Sequence, residues 1–141
     1  MKIKLTQPSA KTPYRANPTD AGADLYSPID CLIEANSNYF IDLGIQIELP
    51  QNTVGLITAR SGLGSKNGIR PRNCIGVIDE TYRGNLGIMV ENASDEDFII
   101  HQGDRIAQLL VMPVEYVAFE EVEELCDTSR GKNGFGSTGL S

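Results

Sequence analysis

Tryptophan is absent from this 141-residue chain, histidine occurs once (His101), and the three cysteines (Cys31, Cys74, Cys126) lie far apart. No CxxC, His pair or HExxH can be drawn from that inventory, so no zinc or haem site is expected. An odd, sparse cysteine count also argues against a disulfide scaffold. No run of about 18 apolar residues is present, which excludes a helical membrane span. Cations are few: 12 Lys and Arg stand against 19 Asp and Glu, for a net charge of −7. A surface that coats nucleic acid needs the opposite balance, whereas a small triphosphate needs only a local cationic pocket. The opening MKIKLTQPSAKTP lacks the apolar stretch of a signal peptide, and the length suits one domain. A soluble, single-domain, cytoplasmic protein without a membrane or nucleic-acid partner is expected.

What the chain does hold is the periodicity of strands. From 39 to 49 every odd position is apolar (Tyr39, Ile41, Leu43, Ile45, Ile47, Leu49), while Asp42, Gln46 and Glu48 lie between them. Leu86, Ile88 and Val90 repeat the pattern. Residues 106–112 are apolar except Gln108, as in a strand covered on both faces. Shorter strands fit 2–5, 54–59, 74–79 and 114–119. Turn residues separate these runs, and one short helix fits 61–66. The pattern predicts an all-β sandwich or barrel over residues 1–126. Residues 127–141 hold four glycines, three serines and two threonines, the composition of a flexible C-terminal arm. Arg130 and Phe135 within it are a charge and a stacking group that a solvating tail does not require.

Several segments could carry chemistry, and each has a plainer reading. Residues 59–68, ARSGLGSKNG, follow a strand and offer Arg60, Ser61, Gly62 and Lys66. Glycines let backbone N–H groups approach phosphate oxygens, and Arg supplies a fork of donors; the same string also suits an ordinary strand–turn–helix corner. Asp79 closes an apolar run, where a carboxylate can take a proton from water attacking phosphorus; it can equally bond its own turn. Tyr82 suits packing or a ligand wall. Asp24 could approach Mg²⁺ directly or through water, or be a surface carboxylate. Gly103-Asp104-Arg105 reads as a turn with an internal ion pair. Gln108 needs a partner within its apolar strand, whether a ligand or backbone. The run Glu120-Glu121-Val122-Glu123-Glu124 reads as a solvated face. His101 and the cysteines receive no role.

Together, five segments resemble the five motifs of the homotrimeric deoxyuridine triphosphatases (dUTPases), in order and spacing. They are 20–27 (DAGADLYS), 59–69 (ARSGLGSKNGI), 73–84 (NCIGVIDETYRG), 103–110 (GDRIAQLL) and 130–139 (RGKNGFGSTG). The resemblance implies a jelly-roll-like β-barrel with one short helix, and a homotrimer whose three active sites are shared between chains and closed by the arm. It implies hydrolysis of dUTP to dUMP and pyrophosphate, which limits uracil in DNA and supplies dUMP for thymidylate synthesis. Asp79 is the implied base, and Asp24 the residue that holds Mg²⁺ through coordinated water. Arg60, Ser61, Gly62 and Gln108 would grip phosphate. Asn73 and the backbone at Val77, Ile78 and Gly87 would read uracil, and Tyr82 would lie under the deoxyribose. In the arm, Arg130 would meet the γ-phosphate, Phe135 would stack on uracil, and Gly136, Ser137 and Thr138 would wrap the phosphates.

Three positions depart from the family pattern. Asn133 replaces a glycine, Thr81 a second aspartate and Ala59 a proline, and none of them is an implied catalytic group. Deoxycytidine triphosphate deaminases share the fold, but carry a proton-transferring glutamate where this chain has Arg83. A catalytically idle dUTP sensor that signals to a regulatory protein partner is the alternative from another class. A purely structural jelly roll would leave Arg130 and Phe135 without purpose.

Overall fold

The computed structural model describes residues 1–132. Eleven strands and one helix are present among them: β1 (Lys2–Leu5), β2 (Ala23–Tyr26), β3 (Cys31–Ile33), β4 (Ser37–Asp42), β5 (Ile45–Glu48), β6 (Thr53–Thr58), α1 (Ser61–Asn67), β7 (Ile69–Pro71), β8 (Ile75–Ile78), β9 (Gly87–Asn92), β10 (Phe98–Ile100) and β11 (Arg105–Pro113). They pair, always antiparallel, into a four-stranded sheet β2-β11-β6-β8, a three-stranded sheet β4-β9-β7, and the pairs β1-β5 and β10-β3. The all-β architecture with one short helix agrees with the sequence pattern. Among the described residues no sheet closes on itself, so the expected barrel is a packing of open sheets.

Alternation explains the core. Ile41, Leu43, Ile45, Ile47 and Leu49 are all buried, and meet Leu25, Ile33, Ile57, Ile69, Leu86, Ile88, Val90, Ile100, Ile106 and Leu109. Burying one such aliphatic side chain contributes about 1.5–3 kcal/mol, which offsets the cost of ordering the chain. The predicted strand over 39–49 is two strands. Gly44, at φ 66°, breaks it, and Asp42 caps the break by accepting the Gly44 N–H at 2.8 Å. β11 lies between β2 and β6, and its apolar run is buried at Ile106, Ala107 and Leu109. α1 ends at Gly68, whose left-handed φ of 69° lets its N–H reach the Leu63 carbonyl.

Residues 114–119 do not form the expected strand. Val114 donates one last backbone bond to Asn52, after which the chain finds no ladder, and Phe119 is 95% exposed. The segment is mostly apolar, but among the described residues no strand pairs with it. Four short strands escaped the sequence reading: β2, β3, β7 and β10. Three or four residues cannot display a period, and pairing alone defines them.

Cys31 is half-buried, and desolvation, followed by the charge of Asp30, pushes its thiol up. It is a packed side chain, not a reactive thiolate. Cys74 is exposed, at a φ of 63°. Asn36 and Asn52 share that region, which asparagine tolerates and cysteine does not. Cys74→Gly is expected to stabilise the protein by about 0.5–1 kcal/mol, raising the thermal midpoint by about 2–4 °C. An unchanged or lowered midpoint in calorimetry would show that the turn is not strained.

Candidate active site

The first cluster forms where three strands lie in register. Gln108 on β11 pairs with Asp24 on β2 and with Thr58 on β6. The chain leaves β6 through Ala59 and places Arg60 at the head of α1, with its Nε donating to Asp24 Oδ1 at 2.9 Å. Arg105 opens β11 and brings its Nη1 to Asp24 Oδ2 at 3.3 Å, while Gln108 Nε2 reaches Asp24 Oδ1 at 3.4 Å. Gly22 leaves room for that amide, since a Cβ there would meet Gln108 Oε1 at 3.1 Å. Asp24 is only 6% exposed, and a carboxylate so buried needs its cations. Its charge holds two guanidinium groups at the surface of the sheet, 27% and 49% exposed at Arg60 and Arg105. Ser61 and Gly62 are exposed beside them, with nothing within 4 Å of a Cβ placed on Gly62. The backbone N–H groups of the first helical turn and the two arginines are a local concentration of donors in an acidic protein, the kind of surface to which an anion is suited.

Arg105 escaped the sequence reading. Gly103-Asp104-Arg105 does make a turn, but its ion pair is not internal: Asp104 accepts the His101 N–H at 2.8 Å, and Arg105 pairs with Asp24. Arg60 also reaches the main chain of Arg105, its Nη1 donating to the Arg105 carbonyl at 3.4 Å. The only early signal was a cation at the start of a strand, and strand pairing decides what it meets.

The second cluster surrounds β8. This strand lies at the edge of its sheet, with β6 as its one partner, so the outer row of its backbone donors and acceptors is open to a ligand. Asn73, Gly76, Val77 and Ile78 line a cleft of about 540 Å³, completed by Arg72 and, from the facing β9, by Gly87 and Met89. Val77, Ile78 and Gly87 also line an adjoining cleft of about 170 Å³ with Asp79, Tyr82 and Asn85. Asp79 follows directly on β8 and is exposed. Its carbonyl accepts the Tyr82 N–H at 3.0 Å, closing the turn. The plainer reading of Asp79 as a turn residue therefore describes its backbone and leaves its carboxylate to the cleft. Arg83 ties the same turn by donating to the carbonyls of Glu80 and Tyr82 at 2.7 and 2.9 Å. Glu80 accepts from the Asn52 N–H at 2.8 Å and from the Tyr116 hydroxyl at 3.2 Å. Desolvation, then Glu80, then the charge of Asp79 push that hydroxyl up, so Tyr116 remains a donor at neutral pH.

The two clusters do not meet within one chain. Gly55 stands opposite Ile78 and Thr58 opposite Ile75, so Asp79 falls opposite Val54 and Arg60 lies beyond the other end. Six residues at about 3.3 Å each separate them by roughly 20 Å. One reacting phosphorus cannot touch both. Arg130 is exposed in the segment after the last strand, while Phe135, Gly136, Ser137 and Thr138 lie outside the described residues.

No group of three or more His, Cys, Asp or Glu among the described residues could enclose a metal. Both Asp24 oxygens already accept from arginine or glutamine. That donor set does not suit a protein cage for Mg²⁺. It fits an ion held mainly by ligand phosphates, which meets Asp24 through coordinated water. Among the described residues, no helix is long and apolar enough to cross a membrane.

A family model described as dUTPase matches residues 8–139. A deoxyuridine 5'-triphosphate nucleotidohydrolase of Clostridium tetani is 45% identical over 139 residues, spanning 99% of this chain and 96% of that relative. Another, from Rhodococcus erythropolis, is 47% identical over 138 residues, spanning 97% and 84%. Among solved structures, the dUTPase of Staphylococcus bacteriophage 80alpha with dUPNHPP superposes with a TM-score of 0.91 at 31% identity, covering 99% of this chain and 98% of that one. A mutant dUTPase from phage phi11 of S. aureus, described with a structural Mg(II) ion, superposes with a TM-score of 0.80 at 29% identity, covering 87% and 96%.

Proposed function

The chain belongs to the dUTPase family, and from that premise we propose how its residues hydrolyse dUTP to dUMP and pyrophosphate. The observation that carries the reading is the exposed Asp79 lining the smaller β8 cleft together with Tyr82, beside open strand backbone. Uracil enters the larger cleft, where Asn73 and the backbone of Val77, Ile78 and Gly87 meet its polar edge. Cytosine carries an amine where uracil has a carbonyl, so a donor aimed there is left unpaired, at about 1–3 kcal/mol. Tyr82 lies under the deoxyribose and excludes a 2′-hydroxyl.

Asp79 accepts a proton from water as the water oxygen attacks the α-phosphorus in line. The bond from that phosphorus to the bridging oxygen breaks, and pyrophosphate leaves with the electron pair. Arg60, Ser61, Gly62 and Gln108 hold the phosphate oxygens, with Arg105 beside them, and Asp24 keeps the arginines in place. A bound Mg²⁺ would neutralise phosphate charge in the transition state, and the triphosphate together with Asp24 through water would hold it. Arg130 meets the γ-phosphate, Phe135 stacks on uracil, and Gly136, Ser137 and Thr138 wrap the phosphates as residues 127–141 close over the site. Closure excludes water other than the nucleophile. We place this activity in the cytoplasm.

The roughly 20 Å between Asp79 and Arg60 within one chain supports a homotrimer with shared sites, in which one chain supplies Asp79 and a neighbour supplies Arg60. Exposed Val117, Phe119 and Leu125, just ahead of the arm, are apolar surface that such an assembly would cover. Two inactive variants then complement each other. Asp79→Asn and Arg60→Ala, refolded together in equal amounts, are expected to recover activity at about a quarter of the sites, since random mixing leaves that share intact. Each alone stays inactive. Pyrophosphate release from dUTP, with dCTP, dTTP and UTP as controls, reads the result. No recovery in mixed trimers would place both residues in one chain's site, and release from dCTP at the dUTP rate would end the uracil reading.

A further inference from the structure

Besides Arg83, the turn that carries Tyr82 is held by side chains outside all five motif segments. Asp42 ends β4, and its two oxygens face two donors. Oδ1 accepts the Gly44 N–H at 2.8 Å, and Oδ2 accepts Asn85 Nδ2 at 2.9 Å. Gln46 on β5 donates its Nε2 to Asn85 Oδ1 at 3.1 Å. Both ends of the Asn85 amide are thereby specified, since reversing it would set donor against donor and acceptor against acceptor. The main chain repeats the clamp one residue on: Leu43 donates to the Leu86 carbonyl at 2.9 Å and Leu86 to the Ile45 carbonyl at 2.8 Å.

Tyr82 hangs from this clamp. Its hydroxyl donates to the Asn85 carbonyl at 2.9 Å. Gly84 leaves the ring its place, since a Cβ there would come within 3.0 Å of the ring carbon Cε2. Gly87, on the far side of Asn85 and Leu86, lines both clefts.

We infer that Asp42, Asn85 and Gln46 are positioning residues that set the site's preference for deoxyribose by fixing the depth of the Tyr82 ring. The inference rests on the proposed role of Tyr82 under the sugar. A 2′-hydroxyl can enter only if the ring withdraws, and withdrawal breaks the Tyr82–Asn85 bond or drags Asn85 off Asp42 and Gln46. Selectivity is thus held by a chain of half-buried and exposed hydrogen bonds that runs back from the Tyr82 ring to β4 and β5.

The polarity of the Asp42–Asn85 pair supplies the test. Asp42→Asn leaves one oxygen for two donors, and Asn85→Asp sets two carboxylates face to face. Made together, the two substitutions restore one donor facing one acceptor, and still leave acceptors for Gly44 and Gln46. The readout is kcat/KM for dUTP over that for UTP, with circular dichroism to confirm folding. Each single change is expected to lower the ratio about tenfold, Asp42→Asn with kcat for dUTP within about twofold, and the exchanged pair to return within about threefold of the wild-type ratio. Gln46→Ala, which places no like charges together, is expected to lower the ratio about threefold and is the variant least prone to misfolding. Ratios unchanged in all three variants, or an exchanged pair no better than the singles, would overturn the inference and leave the network a structural one. A wild type unable to hydrolyse dUTP would instead bring down the underlying hydrolase reading, and this inference with it.

Discussion

Asp79→Asn is expected to lower kcat for dUTP by about 10³-fold while leaving dUTP affinity within about threefold, because the amide keeps the shape of the carboxylate and cannot accept the proton. The geometry separates the two effects. Asp79 stands exposed at the end of β8, its backbone carbonyl closes the turn with the Tyr82 N–H at 3.0 Å, and neither feature depends on the side-chain charge. The cleft walls at Val77, Ile78 and Gly87 are likewise untouched. Single-turnover kinetics and equilibrium binding of a non-hydrolysable dUTP analogue would measure the two quantities independently. Retention of more than a tenth of the wild-type kcat would remove Asp79 from the role of base. Loss of binding in proportion to kcat would make it a substrate ligand instead.

Asp24→Ala acts on a different quantity, and its effect reaches stability as well as rate. Asp24 is the shared counter-ion of Arg60 and Arg105, at 2.9 and 3.3 Å, and also accepts from Gln108. Removing it leaves two like charges beside a half-buried amide without its acceptor. Breaking a buried pair costs about 3–5 kcal/mol, and the lower end applies because the arginines keep 27% and 49% of their side chains in water. A thermal midpoint lower by about 6–12 °C in Mg²⁺-free buffer is expected, with kcat/KM for dUTP down by at least about 10²-fold as the arginines lose their aim. Asp24→Asn should recover part of the stability through its hydrogen bonds, but little of the rate. An unchanged midpoint in Mg²⁺-free buffer would show that Asp24 does not organise the arginines and would leave it only the proposed role of meeting the ion through water.

Legibility differed between the two clusters for a physical reason. Asn73, Val77, Ile78, Asp79 and Tyr82 lie within ten consecutive residues, so a strand and its following turn bring them together. Local spacing nearly suffices there. The corner around Asp24 gathers Asp24, Arg60, Arg105 and Gln108 from two strands and a helix start. Arg105 could not be distinguished from a turn residue without the β2–β11 register. In the sequence Asn85 is one more polar residue after Gly84, and Asp42 lies on the wet side of an alternation. Their bond crosses 43 positions and has no local signature. Phe135, Gly136, Ser137 and Thr138 remain expectations drawn from motif resemblance.

By itself the sequence determined the class of the fold, the family, and the part of the core that comes from 41–49, 86–90 and 106–109. Burial acts on every second residue of a strand, and a motif such as GVIDETYRG is read without knowing its partners. Only the tertiary structure decided that 39–49 is broken at Gly44, that 114–119 has no ladder, and that the barrel stays open. It alone decided that Asp24 faces two arginines and that Asp79 stands at the opposite end of the β6–β8 pair from Arg60. These are matters of which strand lies beside which and in what register, set by contacts between residues far apart in the chain, and no local period records them.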